Sequence, residues 1–164
     1  MFIKKKYLNS KKYLKKKFYF EDKSAKTESY FYKGKNLPLV DKKIINCLIS
    51  ISNYTKKSVR VNLHNSQKSK KHDMIILHRK NSSQKIHSHL MNGETVQMIK
   101  GRVRIGFYNK HLKLKKSVFL DEKDNIILSI PKKTFHKYSI LSKFAIYHEF
   151  SLGPFIRNQT RIIS

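Results

Sequence analysis

The sequence lacks the residues that stabilise many small secreted proteins and the apolar runs that mark membrane spans. Cys47 is its one cysteine, so no internal disulfide can form, and a reducing, cytoplasmic compartment is expected. No run of about 18 apolar residues occurs, which argues against a membrane-spanning helix. The lysine-rich start has no apolar stretch behind it, so a signal peptide is not expected. Hydrophobic residues still make up 39% of the 164 residues, which predicts a packed core in one main domain.

Acidic residues are also scarce. Lysine and arginine number 37 against 10 aspartates and glutamates, giving a formal net charge of +27. The bias is strongest in the first twenty residues, where lysines alternate with phenylalanines and tyrosines. Residues 1–35 are predicted to form a basic extension in front of a domain spanning 36–164. Two interpretations stay open: a solvated segment whose aromatic rings dock on the domain, or an unspecific contact surface for nucleic acid or anionic lipid.

The hydrophobic periodicity predicts an all-β domain behind one short helix. Asp41 is placed to cap a helix over 42–52, and beyond Asn53 the apolar residues alternate as in strands. Asn92-Gly93 and Lys100-Gly101 are predicted to be two-residue hairpin turns. Eight short strands favour a sandwich or barrel. The predicted strands are 58–64, 73–79, 85–90, 94–99, 102–108, 116–120, 125–130 and 144–150.

Two histidines and a glutamate fall on one predicted face of this β domain. His87 and His89 are two residues apart, so both rings point to the same side of a strand. With a turn at Asn92-Gly93, His89 would pair with Val96, and Glu94 would share the face of both histidines. The residues leave two interpretations open. Either the histidines are ordinary hydrogen-bonded side chains beside a partly exposed carboxylate, or the three groups bind a metal ion.

A third histidine strengthens the metal interpretation. A predicted strand ends at Pro131, and His136 follows five residues later. If a strand over 134–138 lies beside the predicted hairpin, His136 completes a set of three imidazoles and one carboxylate. Such a set suits one divalent transition metal (Fe, Mn, Ni or Zn) and leaves two positions of an octahedral ion for water or substrate. The predicted ligands are His87, His89, Glu94 and His136.

These residues resemble the two signature motifs of the cupin superfamily. The first motif, G-x(5)-H-x-H-x(3–4)-E-x(6)-G, is followed except that asparagine replaces the opening glycine. The second, G-x(5)-P-x-G-x(2)-H-x(3)-N, keeps its proline and histidine, whereas asparagine, lysine and isoleucine replace its other three residues. The positions compared are Asn81, His87, His89, Glu94 and Gly101 for the first motif, and Asn125, Pro131, Lys133, His136 and Ile140 for the second.

Flanking segments resemble one group of cupins, the WbuC-type small cupin fold metalloproteins. The resemblance covers residues 38–157 and includes RVNLH, DMIIL, IPKKTFH and HEFSLGPF. It implies a single jelly-roll barrel with a metal near the floor of a pocket at its mouth. It also implies a role in O-antigen, lipopolysaccharide or other surface-polysaccharide synthesis, and therefore a sugar or sugar-nucleotide ligand.

Several polar residues are candidates for contacting that ligand. On the strand 58–64, Arg60, Asn62 and His64 share a face, either as an anion or sugar contact or as a solvent-facing stripe. The catalytic residues are unassigned, with Tyr138, His148 and Glu149 as candidates. The function stays open between a metal-dependent sugar isomerase or epimerase, an iron-dependent oxygenase, a non-catalytic ligand-binding module and a basic surface for nucleic acid or membrane. Exposed strand edges favour a homodimer.

Overall fold

The computed structural model describes residues 2–80, 82, 84–154, 156 and 160–163, which form two helices and twelve strands. The helices are α1 (Phe2–Lys16) and α2 (Lys42–Thr55). The strands are β1 (Tyr19–Glu21), β2 (Glu28–Tyr32), β3 (Val59–Asn62), β4 (Lys71–Arg79), β5 (Ile86–His89), β6 (Glu94–Lys100), β7 (Arg102–Tyr108), β8 (Leu114–Asp121), β9 (Ile127–Ile130), β10 (Phe135–Ile140), β11 (Phe144–Leu152) and β12 (Thr160–Ile163).

The strands form two sheets that face each other across a buried core. One sheet has the order β1-β2-β3-β4-β11-β6-β9, and the other has the order β12-β5-β10-β7-β8. Val96 and Tyr147 of the first sheet pack in one cluster with Ile105 and Tyr138 of the second. The mostly β architecture agrees with the predicted all-β class, although the described chain has a second helix, α1, that was not predicted. All the predicted strands exist, with ends shifted by at most two residues.

Helix α2 begins where the sequence predicted. The Asp41 side chain accepts a hydrogen bond of 2.8 Å from the backbone N–H of Ile44, which satisfies one free donor at the helix start. Ile44, Leu48 and Ile51 are completely buried and hold the helix against the outer face of the seven-stranded sheet. The helix runs three residues past the predicted end and stops at Lys56, whose φ of 60° is left-handed.

The N-terminal segment packs on this helical side of the molecule. Leu14 of α1 is completely buried, and the rings of Tyr7 and Tyr54 stack 4.3 Å apart, joining α1 to α2. Strand β2 runs parallel to β3, so β1 and β2 extend the seven-stranded sheet. The aromatic side chains of this segment therefore dock on the rest of the fold, whereas a domain boundary near residue 35 stays a prediction. No helix in the described part of the chain is long and apolar enough to cross a bilayer.

The two predicted hairpins are wrong. Strand β5 pairs with β10 and β12, whereas β6 pairs with β9 and β11, so Asn92-Gly93 connects facing sheets. Lys100-Gly101 likewise connects β6 to β7 of the opposite sheet. The glycine at position 93 is needed for space, because a Cβ there would lie 2.4 Å from the carbonyl oxygen of Ile130. The residues of β5, β6 and β7 that were predicted to point inward still do so, because both sheets bury one face against the same core.

Candidate metal centre

The three predicted histidines meet the predicted glutamate between the two sheets. His87 and His89 lie on β5, and His136 lies opposite His87 on the neighbouring strand β10. One ring nitrogen from each histidine lies within 4.8 Å of the others, so this cluster can hold a metal ion. Glu94, the first residue of β6, reaches it from the facing sheet. Its carboxylate oxygens lie 3.0 Å from Nε2 of His89 and 3.0 Å from Nε2 of His136.

Backbone carbonyls orient two of the rings. Nδ1 of His136 donates to the carbonyl of Thr134 at 2.8 Å, and Nδ1 of His87 donates to the carbonyl of Lys85 at 3.0 Å. A carbonyl only accepts, so Nδ1 carries a proton in both rings and Nε2 is directed away from the backbone. Nε2 of His136 is buried and faces Oε1 of Glu94; burial lowers the pKa of His136, but this contact with the Glu94 carboxylate outweighs it and raises that pKa. A metal-binding histidine shows this pattern, with one nitrogen held by a backbone carbonyl and the other directed at the remaining ligands.

The spacing and charge of the donors fit a transition metal. At bond lengths of about 2.1 Å, two ligands at right angles on one ion are about 3.0 Å apart, as Glu94 is from His89 and His136. Burial raises the pKa of Glu94, but hydrogen bonds from His136 and His89 outweigh it and hold that pKa well below its usual range. Burial, and then the neighbouring His136, lower the pKa of His87, which keeps it neutral. The residues therefore fit the ion that the sequence predicted, although its binding stays a prediction.

Tyr138, a predicted catalytic candidate, contacts this cluster directly. Its buried hydroxyl donates a hydrogen bond of 2.6 Å to Oε1 of Glu94. The ring stacks on Tyr147, whose hydroxyl lies 2.7 Å from Nδ1 of His78. The sequence reasoning missed His78, although it alternates with Met74 and Ile76 on β4 and so faces the same core. Tyr138 is therefore placed to hold one orientation of the glutamate.

The other two catalytic candidates lie on opposite faces of β11. His148 has the parity of Ile146, which belongs to the helix-side core, and its Nε2 lies 2.6 Å from Oδ1 of Asp73. It is not among the residues that line the cavity next to the cluster, and its catalytic role stays a prediction. Glu149 points the other way and lines that cavity. Burial and the adjacent Glu94 raise its pKa to about 8 against the opposing effect of Arg60, so Glu149 is mostly protonated at neutral pH.

The predicted ligand-contacting residues also line this cavity. Arg60, Asn62 and His64 form one wall of the recess that contains His89 and Glu94. Asn62 is almost fully buried and donates to the hydroxyl of Ser29 and to the backbone carbonyl of Tyr30. The structure thus excludes the alternative of a solvent-facing stripe, while the ligand contact itself stays a prediction. Asn81 and the last residue of the HEFSLGPF segment, both used for the resemblance to cupins, lie outside the described residues.

Comparison with known proteins supports this geometry at the level of the fold. A family model described as "Domain of unknown function (DUF6016)" matches residues 45–120. No curated protein is significantly similar in sequence. CapF from Staphylococcus aureus, a capsular polysaccharide assembling protein, is similar with a TM-score of 0.54 and 12% identity, over 64% of this chain and 30% of that chain. A variant of Bacillus subtilis oxalate decarboxylase is similar with a TM-score of 0.50 and 17% identity, over 65% of this chain and 28% of that one.

Both of these similar structures are cupin-fold proteins. The chain spans about a third of their length, and the identities are low, so the similarity concerns the architecture. The two facing sheets and the cluster of three histidines between them agree with that architecture. This chain has a cupin fold.

Proposed function

We propose that this protein is a metal-binding cupin of the WbuC type that binds or converts a sugar or sugar nucleotide in surface-polysaccharide synthesis. The observation that carries the proposal is the convergence of His87, His89, His136 and Glu94 beside a cavity that the first two histidines and the glutamate line. Three imidazole nitrogens and a carboxylate directed at one point favour a metal ion over a purely structural histidine cluster.

The lining of the cavity supports a sugar-like ligand. Hydrogen-bonding side chains on several strands and loops surround it, and these include Arg60, His64, Asn92 and Ser151. A sugar ring carries several hydroxyl groups, and its recognition needs hydrogen-bond donors and acceptors that converge on it. CapF, which has a similar fold, is described as a capsular polysaccharide assembling protein, and this agrees with the setting that the WbuC resemblance implies.

The residues present suit proton transfer beside a metal. A divalent ion bound here would supply Lewis-acid chemistry as Zn, Ni or Mn, and redox chemistry as Fe. Tyr138 fixes the orientation of Glu94, and Glu149 holds a proton at its carboxyl group facing the cavity. Lewis-acid chemistry favours sugar isomerisation or epimerisation, and redox chemistry favours an oxygenase. A module that binds its ligand without turnover is the alternative to both.

Metal content tests the proposal. Elemental analysis of the full chain, purified anaerobically without an affinity tag, should find close to one Fe, Mn, Ni or Zn per chain. The variants His87→Ala and His136→Ala should lose the metal and remain folded by circular dichroism, whereas the matched control His111→Ala, on an exposed turn, should retain it. A wild-type protein that is metal-free and binds none of the four ions on reconstitution would contradict the proposal.

Helix α1 supports a second candidate function, contact with an anionic membrane surface. The helix has no acidic residue, and its lysines other than Lys11, which pairs with Glu21, are exposed along its outer side. Phe2, Ile3 and Leu8 are exposed on the same helix. Tyr7 and Tyr13, by contrast, pack inward on Tyr54 and Asp41 and are not free to stack on bases. Exposed apolar side chains among lysines suit a lipid interface better than a nucleic-acid strand.

Sedimentation with lipid vesicles tests this second function. The protein should bind vesicles containing phosphatidylglycerol at low salt, and replacing three lysines of α1 by glutamine should weaken binding more than replacing three lysines on the far sheet. The two sets are Lys4, Lys5 and Lys12 on the helix, and Lys110, Lys113 and Lys115 around β8. Equal losses in both sets would indicate an unspecific effect of net charge, and tighter binding to DNA would reject the membrane.

A further inference from the structure

Among the described residues, the cavity beside the histidine cluster is lined by one permanently charged cation. The chain has 37 lysines and arginines, yet no lysine is among the described residues that line the two adjoining recesses. Arg60 is the one arginine among them, and it lines both recesses together with His89, Glu94 and Glu149. The general excess of lysine in this chain therefore does not explain this cation.

Arg60 is held in a fixed position. Strand register pairs it with Ile76 of β4, which faces the core between the sheets, so the arginine points inward as well. Its Nε donates a hydrogen bond of 3.1 Å to the hydroxyl of Ser29, a completely buried residue. Nδ2 of Asn62 donates to the same hydroxyl at 3.1 Å. These contacts fix one edge of the guanidinium group through residues that are themselves buried.

The other edge of the guanidinium has no protein partner in the described part of the chain. No carboxylate there lies within 4.0 Å of it, and its two terminal nitrogens make no hydrogen bond. Glu94 is engaged by His89 and His136. Glu149, the remaining carboxyl group on the cavity wall, makes no ion pair with Arg60 among the described residues. The positive charge of Arg60 is therefore left without an anion on the protein side.

We propose that the ligand of this cavity carries an anionic group, a carboxylate or a phosphate, that binds the free edge of Arg60. Two parallel N–H···O hydrogen bonds from a guanidinium group match the geometry of both anions. The inference rests on the proposed function, because the same ligand then presents its hydroxyl or carbonyl oxygens to the metal cluster. It narrows the substrate class from sugars in general to acidic sugars and sugar phosphates.

Calorimetric titration of the metal-loaded full chain tests the inference. The probes are galacturonate for a carboxylate, glucose 1-phosphate and UDP-glucose for phosphate, and glucose and methyl galacturonate as neutral counterparts. At least one acidic probe should bind ten times more tightly than its neutral counterpart, and inorganic phosphate should compete with it. The pair that shows the preference identifies the source of the anion. Equal affinity for acidic and neutral probes, or no binding of any acidic probe, would overturn the inference.

Variants locate the contact. Arg60→Gln should lower the affinity for the acidic probe at least tenfold without changing the metal content, and Arg60→Lys should restore only part of it because lysine lacks the paired donors. Arg102→Gln, an exposed arginine outside the cavity, should have no effect. Unchanged affinity in a folded Arg60→Gln protein would overturn the inference. A metal-loaded protein that binds neutral sugars as tightly as acidic ones would refute this inference but leave the proposed function intact. A protein that cannot be loaded with metal would refute the proposed function instead.

Discussion

Removing the Tyr138 hydroxyl should weaken metal binding. In the structure, this hydroxyl donates a hydrogen bond of 2.6 Å to Oε1 of Glu94 inside the core. A hydrogen bond to a charged group contributes about 1.5–3 kcal/mol, and loss of such a partner of a metal ligand typically lowers metal affinity about 10- to 100-fold. Tyr138→Phe should therefore raise the metal Kd by about 10- to 100-fold, equivalent to about 1.4–2.7 kcal/mol.

Tyr147→Phe is the matched control for this change. The two rings stack at 5.6 Å and are nearly parallel, but the Tyr147 hydroxyl contacts His78 and makes no contact with a predicted ligand. Competition with a chelator of known affinity, at one pH, measures the Kd of each variant, and near-ultraviolet circular dichroism checks the packing. If Tyr138→Phe binds metal as tightly as the wild type, or if Tyr147→Phe loses as much affinity, orientation of Glu94 by Tyr138 is the wrong explanation.

Three further predictions concern stability. Burial, and then Arg60, lower the pKa of His78 from 6.5 to about 4. Between these pH values His78 is therefore protonated in the unfolded state but neutral in the folded state. The free energy of unfolding of the metal-free protein should consequently fall as pH falls from about 6.5 to 4. His78→Gln should reduce this loss by about 2 kcal/mol between pH 7 and pH 5, as measured by urea unfolding, and an unchanged slope would contradict the assignment. Leu14→Ala should cost about 2–5 kcal/mol in the same assay, because this completely buried side chain joins α1 to the core, whereas a cost near zero would show that α1 is dispensable. Gly93→Ala should lower the melting temperature, because its Cβ would meet the carbonyl of Ile130 at 2.4 Å, and Met91→Ala on the exposed turn nearby should not.

The sequence predicted the strands well because alternation reports burial directly. His87 and His89 were assigned to one face, and Glu94 to the same core, although the reason given was wrong. Asn92-Gly93 has the composition of a tight hairpin, but its glycine reflects a close backbone approach from Ile130. A local turn signal cannot distinguish pairing within a sheet from a crossing between sheets.

Features that depend on tertiary contacts were not predicted. Helix α1 has many lysines, and its buried residues, such as Leu14, are too few to show a clear apolar stripe. Strand β2 pairs in parallel with β3, a non-local contact with no sequence signature. The side of β11 on which His148 lies is the side that the helices cover. Both faces of the seven-stranded sheet are buried, one under the helices and one against the other sheet. Alternation on such a strand cannot say which face borders the cavity.

The predicted ligands come from opposite sheets, with His87, His89 and His136 on one and Glu94 on the other. An ion shared between them would act as a cross-link that ties the two layers together at the edge of the cavity. Binding energy would then appear as folding energy, amounting to about 4 kcal/mol when the free metal concentration is a thousand times its Kd. Resistance to unfolding would consequently report how full the site is, even before any substrate is known.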